Sequence, residues 1–212
     1  VLLISAAALA YEVLLMRLFS IIQWHHFAYM VISLALLGYG VSGSFLTLVH
    51  QRLVPHFNSA FIVNALLFGV SSMVCFLLVQ ELPFNTLELF WDSGQWRYLL
   101  LSYLLLFIPF FFAANAICLS FAAFAAQIPR IYAFDLLGAG LGALGVILAL
   151  YLFAPHVILK LVAALGLLAA LSSALRRGPN KRGLVVVLLI LSTLAILALP
   201  NGWLGLRLSE YK

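Results

Sequence analysis

Few side chains in this sequence can hold a charge or ligate anything, and those that can fall in unexpected places. Glu12 and Arg17 interrupt the apolar stretch "AAALAYEVLLMRLFS", and Asp135 interrupts "IYAFDLLGAGLGALG". A carboxylate inside an apolar run suits two kinds of chemistry, recognition of a cation or custody of a proton. Glu12 and Arg17 are an i, i+5 pair. At about 100° per residue they point about 140° apart on a helix, so they do not form the direct pair that i, i+4 spacing allows. Arg17 is long enough to reach back to the headgroups, whereas a glutamate near the middle of a span is not. Glu12 is therefore the leading candidate for a functional side chain, either neutral or tied to a partner within the bundle. Tyr11 lies beside it, about 100° around the helix, and addresses another face.

The other chemically capable residues are weaker candidates. "QWHHF" places His25 and His26 side by side, and His156 falls on the same side of the chain's hydrophobic pattern. Adjacent imidazoles diverge and rarely serve one metal, so these three are weak metal or haem ligands and no cofactor is predicted. Cys75 and Cys118 sit within apolar runs at unrelated positions and read as small buried residues. Asn64 and Asn115 suit interhelical hydrogen bonds, and Lys160 is close enough to a span end to reach the interface.

The stretch 131–145 contains a Gly-x-Gly pair, the beginning of a dinucleotide fingerprint. That fingerprint needs a strand, a tight glycine turn and then a helix whose free amides meet a pyrophosphate. Here the apolar run continues unbroken through "VILALYLFAP", and Ala143 stands where a third glycine belongs. The helical alternative accounts for more. Gly138 and Gly142 form a GxxxG pair, Ala139 and Ala143 flank it, and Gly145 extends the small-residue face. In lipid, bare backbones gain from close contact where no hydrophobic drive exists. Segment five is expected to be a tightly packed central helix. Asp135 lies about one turn into it, either as an internal polar group or as an interfacial acid favoured by the helix dipole.

What must position these residues follows from composition. The 212 residues are 66% hydrophobic and 8% charged, with a mean hydropathy of +1.20. Soluble domains carry about 25% charged residues, so a chain this poor in charge cannot clothe a globular surface. The expected fold is all-α, a polytopic transmembrane helix bundle of about seven spans over 1–200. The spans are placed at 2–22, 28–50, 59–80, 98–126, 131–154, 156–175 and 184–200, each near the ~20 residues a crossing needs. Segment one is not expected to be a cleaved leader, because Glu12 and Arg17 break its apolar run. The 81–97 stretch, "ELPFNTLELFWDSGQWR", is expected to lie at the interface as a loop or short amphipathic helix, and 201–212 to form a tail leading to a further domain. Pro109 is expected to kink the fourth span.

Alternate loops differ in charge. Arg52, Arg130, Arg176, Arg177, Lys181 and Arg182 fall on one side, while the other has Arg97, accompanied by Glu81, Glu88 and Asp92, and the tail residues Arg207 and Lys212. The bias puts the N-terminus in the cytoplasm and the 201–212 tail outside, in a multi-pass protein of the cell inner membrane. The basic cluster is thereby a topology signal, and no nucleic-acid partner is expected. Expected partners are the lipid bilayer and other membrane subunits or a second copy of the chain.

"SAAALAYEVLLMRLFS" and "IYAFDLLGAGLGALG" resemble the membrane domain of the spermidine-synthase-like, or polyamine aminopropyltransferase-like, membrane proteins. The likeness is carried by Tyr11, Glu12, Arg17, Tyr132, Asp135, Gly138 and Gly142, and by the order of the helices. It implies a helical bundle that precedes a soluble, methyltransferase-shaped domain. No aminopropyltransferase residues occur within these positions, so the likeness implies an anchoring role and not synthase chemistry. The function expected is a membrane anchor or assembly subunit without its own catalysis. The alternatives are a transporter-like module for a small cation such as a polyamine, with Glu12 and Asp135 as contacts, and a redox or haem-associated subunit.

Overall fold

The computed structural model describes residues 1–22, 27–83, 91–175 and 179–198. They form α1 (Leu2–Ile22), α2 (Phe27–Leu53), α3 (Phe57–Gln80), α4 (Gln95–Ala123), α5 (Ile128–Leu152), α6 (Pro155–Ala174) and α7 (Pro179–Ala198). Short 3-10 turns, Val54–His56 and Ala125–Gln127, link α2 to α3 and α4 to α5. Prolines mark the restarts: Pro55 lies in the first turn, Pro129 near the start of α5, and Pro155 opens α6. Proline is at ease there, since the first amides of a helix have no intrahelical acceptor. Pro109 falls inside α4, which the structure keeps as one element.

Five stretches are long and apolar enough to cross a membrane: Leu2–Ser20, Tyr29–Gln80, Gln95–Ala123, Ala125–Leu152 and Pro155–Ala174. The second contains both α2 and α3. In α7 the apolar portion, Leu189–Ala198, is shorter. The chain is thus an all-helical, multi-span membrane protein. Of the expected 81–97 loop, 81–83 form a turn and 95–97 begin α4. Residues 84–90 of that expected interfacial stretch, the His25–His26 pair and the 201–212 tail lie outside the described residues.

Five helices close a ring. α1 packs on α2 and α6, α2 runs along α4, α4 along α3, and α3 along α6. α5 lies along α1 and barely touches its other neighbours, while α7 lies along α6. The ring's centre is filled by Tyr11, Leu14, Phe68, Leu106 and Phe110, all fully buried. The Tyr11 hydroxyl donates to the Ser72 carbonyl at 3.2 Å, which settles its one polar atom. Its ring meets Phe68 edge-on at 6.0 Å and Phe110 at 5.4 Å.

Two close crossings draw the ring tight. A Cβ on Gly38 of α2 would stand 2.7 Å from the Phe110 Cβ of α4. Between α3 and α6, a Cβ on Gly69 would meet the Ala163 carbonyl at 2.9 Å, and one on Gly166 would meet the Phe68 ring at 2.6 Å. Ser42 donates to the Asn115 side-chain oxygen at 3.2 Å and so stitches α2 to α4. Asn64, expected to bridge helices, instead donates to Ala60 of its own helix at 2.8 Å. Lys160 does not reach for the interface: it is 6% exposed and its ammonium donates to the Leu197 carbonyl of α7 at 3.5 Å.

α5 is not the central helix its glycines suggested. Only 17% of its apolar window is buried, against 61% for α1. Small residues permit close approach on one face, but they do not dictate how many faces are covered. The Leu-rich remainder of α5 suits lipid as well as protein.

Candidate functional site: the seam between α1 and α5

The GxxxG pair does what its spacing allows. Gly138 lies against the Leu2 carbonyl and Gly142 against the Ala6 carbonyl, each so close that a Cβ would collide with backbone. Leu2 pairs with Gly138 and Ala6 with Gly142, so the two helices run parallel and in step. Ala139 is half-buried beside this line, and Val146 takes the next contact position. Gly145 faces open space instead of prolonging the small-residue face, because three residues from Gly142 it has turned off the line.

An acidic flank runs beside the seam. α5 begins at Ile128, three residues earlier than the sequence suggested, so Asp135 lies about 10 Å along the helix at 1.5 Å per residue. The helix dipole acts within the first turn, which leaves Asp135 beyond its reach. The partner is instead Ser5 of α1, whose hydroxyl donates to the Asp135 carboxylate at 2.5 Å and also stands 3.2 Å from the Val1 carbonyl. Ser5 and Glu12 are an i, i+7 pair, two turns apart on one face of α1. Tyr39 of α2 lies within electrostatic range of both Asp135 and Glu12. Cys118 of α4 lies within range of Asp135 and beside Ser42. These four side chains, Asp135, Ser5, Tyr39 and Glu12, make up an acidic track contributed by α1, α2 and α5, in which Ser5 and Asp135 touch and Tyr39 lies within electrostatic range of both acids.

Glu12 is half-buried, and among the described residues no cationic side chain offsets it. Arg17 is exposed on another face, in keeping with its spacing from Glu12. Tyr11 points into the ring and Tyr132 is 57% exposed on α5, so neither joins the track. His156 is half-buried at the start of α6, and no group of three or more metal-ligating side chains occurs among the described residues. Sequence reasoning missed Tyr39 and Ser5. Ser5 had a signal, being a hydroxyl two turns before Glu12; Tyr39 had none, since its placement depends on how α2 leans across α1.

Chemically, the track offers carboxylate and hydroxyl oxygens in an apolar surround, a setting for a cationic group and not for an anion. The fold defines the class, a polytopic helical membrane protein, here with two acids placed on apolar helices. No family model, no curated protein and no solved structure matches the chain.

Proposed function

We propose that this chain is a membrane module without catalysis of its own, an anchor or assembly subunit. In this reading it crosses an inner membrane seven times from a cytoplasmic N-terminus. The observation that supports it best is α5, which is fastened to the ring through one glycine seam and presents its other faces outward. A helix held so closely yet covered so little is a presenting element, and the acidic track beside it suits a basic side chain on an incoming helix. The likeness of the first and fifth segments to the membrane domain of spermidine-synthase-like proteins supports the same role, since such a bundle there carries a soluble domain. The charge bias between alternate loops supports the orientation.

A photo-crosslinker at Leu141, 59% exposed on α5, tests this in native membranes. Capture of a second copy or of one defined protein is the expected result. Capture of lipid alone would overturn the reading. A second reading, a path for a small cation, is favoured by Tyr39 lying within electrostatic range of both carboxylates. The cation would travel along the flank, because side chains fill the ring. Uptake of a labelled diamine by proteoliposomes, abolished by Glu12→Gln, would establish it in place of the first.

A further inference from the structure

The α1–α5 pair is tight at one end and open at the other, and the sequence explains why. From Gly138 and Gly142 the contact line passes to Val146 and Leu150, so side chains replace hydrogens and wedge the helices apart. The result is a cleft of about 730 Å³ lined by Val13, Met16, Arg17, Ile147, Leu150 and Tyr151, with Ser20 and Pro155 at its margin. Among the described residues its walls are mostly apolar, no carboxylate lines it, and Arg17 is its one cation. Tyr151, 84% exposed, marks the rim where α5 ends.

We propose that this cleft binds a phospholipid with an anionic headgroup. The acyl chains lie against Val13, Met16, Ile147 and Leu150, while the phosphate meets the Arg17 guanidinium. Charge complementarity selects the ligand. A planar guanidinium matches phosphate oxygens two at a time, and its stem can lie along the apolar wall. Leu150 and Ile147 give no hydrogen bond to a soluble anion, so the acyl chains supply the retention that a free phosphate lacks. A bound lipid also closes the wedge between α1 and α5 that protein leaves open. This assignment does not depend on the assembly role proposed above.

Native mass spectrometry of the purified chain, titrated with phosphatidylglycerol or with phosphatidylcholine, tests it. The wild type should retain phosphatidylglycerol at lower lipid concentration than phosphatidylcholine. Arg17→Gln should lose about tenfold in phosphatidylglycerol affinity, the scale of one charged hydrogen-bonding contact, and fall to the phosphatidylcholine level. Ile147→Trp should fill the wall and weaken both lipids, which keeps the test alive should Arg17→Gln fail to fold. Equal retention of the two lipids by the wild type, or an unchanged Arg17→Gln, would overturn the assignment. So would displacement of the lipid by millimolar glycerol phosphate, which would give the cleft to a soluble anion. A crosslinker at Ile147 that captures protein and no lipid would give it to a partner helix instead.

Discussion

α1 and α5 are the two helices that share the glycine seam, and they are opposites in every other respect. α1 carries Glu12 and Arg17 and is still as enclosed as any of the five long spans, touching α2, α5 and α6 at length. α5 is almost wholly apolar after Asp135 and is nevertheless the most open of those five. In water the order would reverse, because apolar surface would be driven inside. In lipid the polar helix needs neighbours to satisfy it and the apolar helix does not. Enclosure here follows polarity and aromatic packing around Tyr11, and glycine spacing decides only how close one pair may come.

The largest effect should come from moving the same substitution between the two kinds of seam. Leucine at Gly166 has nowhere to go, since α3 and α6 are both fixed in the ring and the Phe68 ring stands 2.6 Å from the site of the added Cβ. Gly166→Leu should abolish a monodisperse fold in detergent. Gly142→Leu also drives a side chain into backbone, but α5 is a satellite and can swing away. It should detach α5 and leave the ring, at a loss of ~1–3 kcal/mol for the overpacked contact. Even Gly142→Ala forces the helices apart, because the Ala6 carbonyl occupies the place of the Cβ. Size-exclusion profiles with maleimide labelling of a cysteine at Ala139 distinguish the two cases. Collapse of both variants alike would erase the distinction between ring and satellite.

This contrast shows what the sequence made legible. The positions of the helices follow from apolar length, and α1 ends with the 2–22 run where Gln23, His25 and His26 follow it in the sequence. The Gly138–Gly142 contact follows from i, i+4 spacing. The seams at Gly38, Gly69 and Gly166 were not legible, since each opposes a residue on another helix (Phe110, Ala163 and Phe68) and no local spacing records that pairing. Gly40 and Gly43, in the richest glycine stretch of α2, face open space. The site was half legible: Glu12 and Asp135 stand out as charges among apolar residues, whereas Ser5 and Tyr39 are ordinary until tertiary structure brings them to the flank.

A middle-sized effect should separate the two acids. Asp135 accepts one hydrogen bond from Ser5, and a net hydrogen bond contributes about 0.5–1.5 kcal/mol. Asp135→Ala and Ser5→Ala should each destabilise by about that amount, and the double variant by scarcely more than either alone. Additive losses in thermal unfolding would show that the two side chains do not act as a pair. Glu12 has no such partner among the described residues, so Glu12→Gln should change stability by no more than the ~0.5 kcal/mol typical of uncoupled sites. It should instead weaken crosslinking at Leu141, if the track receives a basic group from a partner. Misfolding of Glu12→Gln would reveal a structural ion pair and remove Glu12 from the site.

The smallest effect, and the sharpest test of the contrast between α1 and α5, lies three residues from Gly142. Gly145 is exposed and nothing stands within 4 Å of where its Cβ would be. Alanine there adds no clash and removes backbone freedom that glycine has in the unfolded chain, a difference of up to ~1 kcal/mol in helix propensity. Gly145→Ala should therefore be neutral or slightly stabilising in detergent, and Gly145→Leu neutral, since an isobutyl group is at home in lipid. Thermal unfolding of the purified variants measures this. In native membranes the same leucine meets whatever covers the outer face of α5. Unchanged stability in detergent combined with loss of the Leu141 crosslink would place a partner on that face. Loss of stability in detergent would mean that α5 is enclosed by the chain itself, and the satellite description would fall.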